Sequence, residues 1–212
     1  MSKFLPLFPL KLVVFPREKL KLHIFEPRYK QLINECRENA AMTFGIPPYI
    51  DDRVADFGVE VRLQNVFQVD DSGEMDILVE GIQAFQLDSF VREAPDKLYP
   101  VGDVVPIEND PTTDPVTTRR LADAFARFHA LLNTGYERDN FDVPSLSFQV
   151  AQEVGMTLEQ KVQLLATPKE ADRQLLLVEH LDKAIPLLTA AEDTRRRVRG
   201  NGHFARLPAI DL

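Results

Sequence analysis

The chain has 212 residues, of which 44% are hydrophobic and 27% charged, and a formal net charge of -8. A chain of this size and composition can bury a sizeable core without a metal or a disulfide. Its negative charge repels a phosphate backbone on average, and only the arginine-rich run at 195–199 offers a basic face, so we expect nucleic acid to be an unfavoured partner. The sequence contains no run of ~20 apolar residues, so we expect no membrane partner.

The cysteine content and the first residues of the chain indicate the cellular compartment in which the protein is found. The single cysteine, Cys36, cannot form an intramolecular disulfide, and residues 1–16 lack the basic start, apolar run and cleavage site of a signal peptide. From these two features we expect a cytoplasmic protein. Cys36 lies on the apolar side of a predicted helix, where the role of a small buried residue is favoured over that of a nucleophile.

The first half of the chain has the period-two alternation of half-buried strands. Residues 19–24 alternate Lys-Leu-Lys-Leu-His-Ile, and the turn sequence at 70–73 separates two further apolar runs as in a β-hairpin. One helix interrupts the strands, since Pro27 suits the first helical position and the apolar residues after it recur at helical spacing. These inward-facing residues are Tyr29, Leu32, Ile33 and Cys36. The pattern predicts a β-rich unit with one helix over residues 1–110.

The second half has helical periodicity. Residues 109–115 are polar and contain two prolines, which is typical of a linker, and Asp114 with Pro115 is typical of a helix start. Two capping boxes, Thr157-Leu158-Glu159-Gln160 and Thr167-Pro168-Lys169-Glu170, predict two later helices. We expect Pro186 to kink or divide the last helix. The predicted units are therefore a helical bundle over 115–199 and a flexible basic tail over 200–212.

Several segments resemble a known family. Residues 5–10 (LPLFPL), 13–16 (VVFP) and 20–29 (LKLHIFEPRY) are similar to the start of the N-terminal domain of Lon proteases, especially its stand-alone bacterial form. Residues 58–61 and 79–85 are similar to later blocks of that domain, and the short helix at 158–165 resembles its helical half. The resemblance covers nearly the whole chain.

The resemblance implies both a fold and a function. The implied fold class is α+β, with an N-terminal PUA-like β pseudo-barrel that carries one helix, followed by a C-terminal helical bundle. The implied function is to bind unfolded or degron-bearing polypeptides, with a protease as a further partner. The Walker A pattern Gly-x-x-x-x-Gly-Lys-[Ser/Thr] does not occur in the sequence, and the peptidase region of a Lon protease would follow only after Leu212. We therefore expect a non-catalytic recognition module without a cofactor.

A polar cluster and three phenylalanines near the family motif are the candidate peptide-binding residues. They are Phe8, Phe15, Phe25, Glu26, Arg28 and Tyr29. In the structural alternative, Glu26 caps the helix and pairs with a basic group, while Tyr29 and the phenylalanines pack in the core.

Other functions leave weaker signals. The four histidines lie far apart, without Cys, Asp or Glu at ligand spacing, so we expect no metal site. A small hydrolase-type enzyme remains an alternative, although no pair of carboxylates has a suggestive spacing. An RNA-binding PUA-like protein is another, and its affinity would fall steeply with salt, whereas apolar capture of unfolded chains would be salt-tolerant.

Overall fold

A computed structural model of the chain describes residues 2–134 and 145–201. The first half contains one helix, α1 (Pro27–Glu38), and eight strands: β1 (Lys3–Pro6), β2 (Lys19–Ile24), β3 (Thr43–Ile46), β4 (Tyr49–Ile50), β5 (Arg53–Val54), β6 (Phe57–Val69), β7 (Met75–Leu87) and β8 (Val101–Pro106). The described part of the second half is helical: α2 (Pro115–Leu132), α3 (Leu146–Glu153), α4 (Leu158–Leu165) and α5 (Glu170–Asn201). The predicted α+β fold class is confirmed.

A six-stranded antiparallel sheet forms the first half. Its strand order is β1-β8-β7-β6-β3, with β2 paired to β7, while β4 and β5 form a separate two-stranded ladder. The β6–β7 pair is the predicted hairpin, and Gly73 in its turn has φ +77°, which glycine adopts without strain. Alternate residues of these strands point into the core, among them Val59, Val61, Ile77 and Val79.

The sheet curls without closing. Leu7, just beyond β1, forms an isolated parallel bridge with Gly45 of β3, and the Phe8 N–H donates to the Gly45 carbonyl at 2.7 Å. A Cβ at position 45 would lie 2.8 Å from Leu7 Cδ2, so the close approach requires glycine. Within the described residues β1 and β3 form no ladder with each other, and only this bridge lies between Leu7 and β3, so the sheet is not a closed barrel.

Most helix boundaries follow the predicted signals. α1 buries Tyr29, Leu32, Ile33 and Cys36, as its spacing predicts. Asp114 accepts a hydrogen bond from the Thr117 N–H at 2.9 Å, and Thr157 forms the predicted capping box with Gln160. These three predictions are confirmed.

The second predicted capping box is wrong. The Thr167 hydroxyl donates to the Gln163 carbonyl, and α5 begins later, at Glu170. The box cannot form because the Glu170 carboxylate turns into the core, where it accepts hydrogen bonds from Ser147 and Arg173. The helix also continues past Pro186 without being divided, since one missing hydrogen bond is tolerated within 32 residues. A kink at that proline stays a prediction.

The two halves share one apolar core. Phe15 from the first half stacks on Phe148 of α3 with ring centroids 5.4 Å apart. The predicted linker is hydrogen-bonded to the start of α5, because the Asp110 N–H donates to the Pro168 carbonyl and the Asp110 carbonyl accepts from the Glu170 N–H. The predicted boundaries at 110, 115 and 199 stay predictions. Of the predicted tail, residues 202–212 lie outside the described part of the chain.

None of the helices in the described ranges has both the length and the hydropathy needed to cross a membrane.

Candidate functional site

A surface groove with a volume of about 630 Å³ lies beside the β4–β5 ladder. It is bounded by this ladder, by residues 9–11, by the start of α1 and by the segment 90–100 that leads into β8. We call it the β4–β5 groove. Its volume falls within the usual range of ligand pockets, ~300–1,000 Å³, and it is open to solvent along its rim.

The floor of the groove is aromatic. Tyr29 is only 4% exposed, and its ring stacks on Phe8 with centroids 3.7 Å apart. The Arg28 guanidinium lies 4.6 Å from the centre of the same ring. Burial raises the pKa of the Tyr29 phenol, so the side chain is neutral at physiological pH. Tyr29 therefore offers the groove a fixed, uncharged surface with a cation beside it.

An ion pair stands next to this floor. Glu26 Oε2 accepts a hydrogen bond from Arg28 Nε at 2.9 Å and lies 2.7 Å from Arg28 Nη2, so the two side chains form an ion pair. Glu26 occupies the N-cap position of α1 but makes no side-chain capping bond. The structural alternative for Glu26 is thus right about the basic partner and wrong about the cap, because the carboxylate bonds to Arg28 instead.

One wall of the groove is fixed by α1. The Gln31 side-chain amide donates to the Asp96 carbonyl at 3.0 Å and accepts from the Leu98 N–H at 2.8 Å. One turn later, Lys97 and Tyr99 both donate to Glu35 Oε2. These bonds hold Leu98 at the rim, where it is 63% exposed.

The hydrogen bonds in this wall fix the protonation states of Glu35 and Tyr99. Burial on its own would raise the pKa of Glu35, but hydrogen bonds from Lys97 and Tyr99 together lower it, so the carboxylate is ionised at neutral pH. Burial and the bond to Glu35 raise the pKa of Tyr99 to about 12, so this phenol keeps its proton and donates it. The hydrogen bonds from Lys97 and Tyr99 to Glu35 are therefore kept at physiological pH.

The opposite wall is the β4–β5 ladder. Asp51 and Asp52 both have positive φ, 46° and 59°, which gives the two-residue turn the twist that a tight hairpin requires. Tyr49 pairs with Val54 across the ladder, and its N–H donates to the Leu10 carbonyl at 2.7 Å. Tyr49 and Val54 are thereby held against the N-terminal segment.

The groove extends past the ladder. A second cavity of about 360 Å³ shares four of its lining residues with the β4–β5 groove and continues along the other side of β5 towards Asp88 and Ser89. The shared residues are Tyr49, Val54, Phe90 and Arg92. The two cavities therefore adjoin each other.

The structure brings together four of the six predicted site residues. Arg28 and Tyr29 line the β4–β5 groove, Phe8 lies beneath Tyr29, and Glu26 holds Arg28. Their role in binding stays a prediction.

The other two predicted residues lie elsewhere. Phe15 is fully buried against Phe148, which agrees with the core alternative. Phe25 is 58% exposed and stacks beside His23, but it does not line the groove.

Several lining residues were not predicted. They are Pro9, Leu10, Lys11, Tyr49, Val54, Phe90, Arg92, Glu93, Leu98 and Pro100. The paired aspartates at 51–52 are a turn signal that could have located the ladder. The segment 90–100 carries no comparable signal, since its place beside α1 depends on contacts made some 65 residues apart in the chain, such as Gln31 to Asp96.

The described residues lack the usual signs of catalysis or metal binding. No group of three or more His, Cys, Asp or Glu in them could hold a metal ion. His23, His129 and His180 occupy separate places, and His203 lies outside the described part. Burial raises the pKa of Cys36 to about 11, so its thiol is protonated at neutral pH and is a poor nucleophile. The groove lining contains one carboxylate, Glu93.

A smaller cavity of about 160 Å³ lies at the junction of the two halves, and Arg173 borders it. All five N–H donors of Arg173 are occupied within the protein. Their acceptors are Ser147 Oγ, the Thr167 and Pro168 carbonyls, Asn109 Oδ1 and Glu170 Oε2. Since Arg173 has no donor left for a ligand, we assign it a structural role.

Comparisons with known proteins agree with a binding domain of this kind. The model of the family described as ATP-dependent protease La (LON) substrate-binding domain matches residues 4–183. The chain belongs to this family, whose domain is itself non-catalytic. No curated protein matches the chain.

Two solved structures are similar to most of the chain. The Lon N-terminal domain protein from Xanthomonas campestris is 25% identical, with a TM-score of 0.66, and the match covers 84% of this chain and 98% of that one. The N-terminal domain of the Mycobacterium avium complex Lon protease is 17% identical, with a TM-score of 0.65, covering 85% and 98% of the two chains. The second similarity concerns the fold alone.

Proposed function

We propose that this protein recognises unfolded or degron-bearing polypeptide segments and binds them in the β4–β5 groove without acting on them chemically. The observation that carries this proposal is a groove with aromatic and aliphatic lining and hydrogen-bonded walls, adjoined by a second cavity, in a member of a substrate-binding family. The family membership supports protein substrates in general, and the groove supports an extended segment as the form in which they bind.

The lining supplies anchors for large apolar side chains. Tyr49 lines the groove, and Phe90 and Leu98 stand at its rim with 36% and 63% of their surface exposed. Truncating aromatic anchors of this kind usually removes a large share of binding energy, whereas most surrounding contacts contribute little. We therefore expect a few aromatic or branched side chains of the client to supply most of the binding free energy.

The fixed walls reduce the cost of binding. Leu98 is tied to α1 through Gln31, and Tyr49 is tied to Leu10, so neither side of the groove has to become ordered when a segment enters. An unfolded client still loses conformational entropy when it is held, which limits the affinity of short segments. We expect micromolar dissociation constants.

Two further parts of the proposal concern context. We propose a cytoplasmic location, because the single cysteine is buried and protonated, as is usual for proteins in a reducing compartment. A protease is the natural recipient of a captured client, because the family is named for the substrate-binding part of an ATP-dependent protease.

A labelled, permanently unfolded protein provides the test, with fluorescence anisotropy as the readout. Phe90→Ser is expected to weaken binding about tenfold, since it removes an anchor at the rim. Phe4→Ser is the matched control, because Phe4 is 62% exposed on β1 and does not line the groove. Equal affinities of the two variants, each with an unchanged circular dichroism spectrum, would contradict the location of the site.

A further inference from the structure

The β4–β5 groove differs in charge from the rest of the chain. The whole protein has a formal charge of -8, yet three basic residues, Lys11, Arg28 and Arg92, line the groove with a single acid, Glu93. Local potential in a cleft is set by the charges that line it rather than by the net charge. The groove is thus a basic site on an acidic protein, whereas the adjoining cavity adds Arg53 together with three acids, Asp52, Asp56 and Asp88.

The basic residues differ in availability. Arg28 is held by Glu26, as described above. Lys11 and Arg92 make no ion pair or side-chain hydrogen bond with any residue in 2–134 or 145–201. Their charges are therefore available to an anionic group that enters the groove.

We infer that the β4–β5 groove selects polypeptide segments in which Asp or Glu alternates with large apolar side chains. The inference rests on the proposed function and specifies its substrate class. Carboxylates of the segment pair with Lys11 and Arg92, while its apolar side chains contact Tyr49, Phe90 and Leu98. An extended chain places alternate side chains on opposite sides, so one segment can satisfy both kinds of contact.

The same lining disfavours a nucleic acid. The cations and the acid Glu93 act on a phosphate backbone and on the carboxylates of a client alike, so charge alone does not distinguish the two. Leu10, Val54 and the two prolines at positions 9 and 100 give the groove an aliphatic lining that offers no hydrogen bonds to bases. A carboxylate-bearing polypeptide fits both the cations and the aliphatic surface.

Three labelled peptides of equal length test the selection. They share the same aromatic residues and carry Glu, Gln or Lys at the intervening positions. At low salt the Glu peptide is expected to bind about tenfold more tightly than the Gln peptide, because two exposed ion pairs each contribute roughly two- to fivefold. The Lys peptide is expected to bind most weakly, and high salt should reduce all these differences.

Charge-neutral variants locate the effect. The double variant Lys11→Gln/Arg92→Gln is expected to bind the Glu and Gln peptides equally. The control is Lys19→Gln/Lys21→Gln, because both lysines are exposed on β2, outside the groove. This control should keep the full preference for the Glu peptide.

The outcomes separate the two proposals. Equal binding of all three peptides to the unaltered protein overturns the charge selection and leaves the polypeptide-binding function in place. Failure to bind any of the three overturns both. A labelled RNA oligonucleotide that binds more tightly than the Glu peptide, and loses affinity in the Lys11→Gln/Arg92→Gln variant, overturns the assignment to polypeptide.

Discussion

Replacing Arg173 with methionine is expected to destabilise the protein more than any surface substitution. The side chains of Arg173 and Glu170 are 1% and 0% exposed at the start of α5. Arg173 Nη2 lies 2.7 Å from Glu170 Oε2. The substitution leaves the Glu170 carboxylate buried without its cation. It also removes the hydrogen-bond donors that serve Asn109 and the Thr167 and Pro168 carbonyls. The bond to Asn109 ties the segment before α2 to α5, so the whole unfolding transition should respond.

The size of the effect follows from the burial. Removing one partner of a buried ion pair usually costs about 3–5 kcal/mol, because the remaining charge is left uncompensated. For a protein of 150–250 residues each kcal/mol lowers Tm by roughly 2–4 °C, so Tm should fall by roughly 6–20 °C. Whole-protein stabilities are about 5–15 kcal/mol, so this loss is a large share of the total.

Urea unfolding followed by circular dichroism measures this loss. The matched control is Arg120→Met, because Arg120 pairs with Asp182 between α2 and α5 with both side chains more than half exposed. That exposed pair should contribute about 1 kcal/mol or less. The double variant Glu170→Gln/Arg173→Met removes both buried charges and should recover part of the stability. Equal losses for Arg173→Met and Arg120→Met would refute the reasoning.

Two further predictions concern packing and pH. Gly81→Ala would place a Cβ 2.2 Å from the Phe15 carbonyl oxygen. The Cβ of Gly155→Ala meets nothing within 4 Å, but the φ of +66° at this position strains alanine by about 1–2 kcal/mol. Thermal unfolding should therefore show the larger loss for Gly81→Ala, and the reverse order would contradict this. The folded-state pKa of Glu35 lies below its ordinary value of 4.5, so its stabilisation is present above that pH and is lost as the pH falls through the folded-state pKa. Glu35→Gln should therefore lower stability at pH 7 and flatten its decline in acid, and parallel stability curves would contradict the role of this carboxylate.

Local signals in the sequence predicted the elements of the fold well. Pro27, Asp114 and the Thr157 capping box marked helix starts, because caps depend on residues within one turn of each other. The prediction failed at Thr167, where a residue distant in sequence decided the outcome. Ser147 and Arg173 draw the Glu170 side chain into the core, and no local pattern at 167–170 shows this competition.

The candidate site was predicted only in part for the same reason. Arg28 and Tyr29 follow a helix start and were found through a local motif. Phe90 and Leu98 belong to an irregular segment whose position is set by α1, so their exposure beside Tyr29 emerges only in three dimensions. Phe15 shows the converse, because an aromatic residue within a motif can serve the core alone.

The location of client binding is the central claim, and site-specific photocross-linking tests it most directly. A benzoylphenylalanine placed at Leu98, on the rim of the β4–β5 groove, is compared with one at Phe67, which is 54% exposed on β6 outside the groove. Each protein is irradiated with the same unfolded client, and the adducts are quantified by mass spectrometry. We predict abundant adducts at position 98 that a competing unlabelled client removes, and few at position 67. Equal or greater adduct formation at position 67 would contradict binding in the groove.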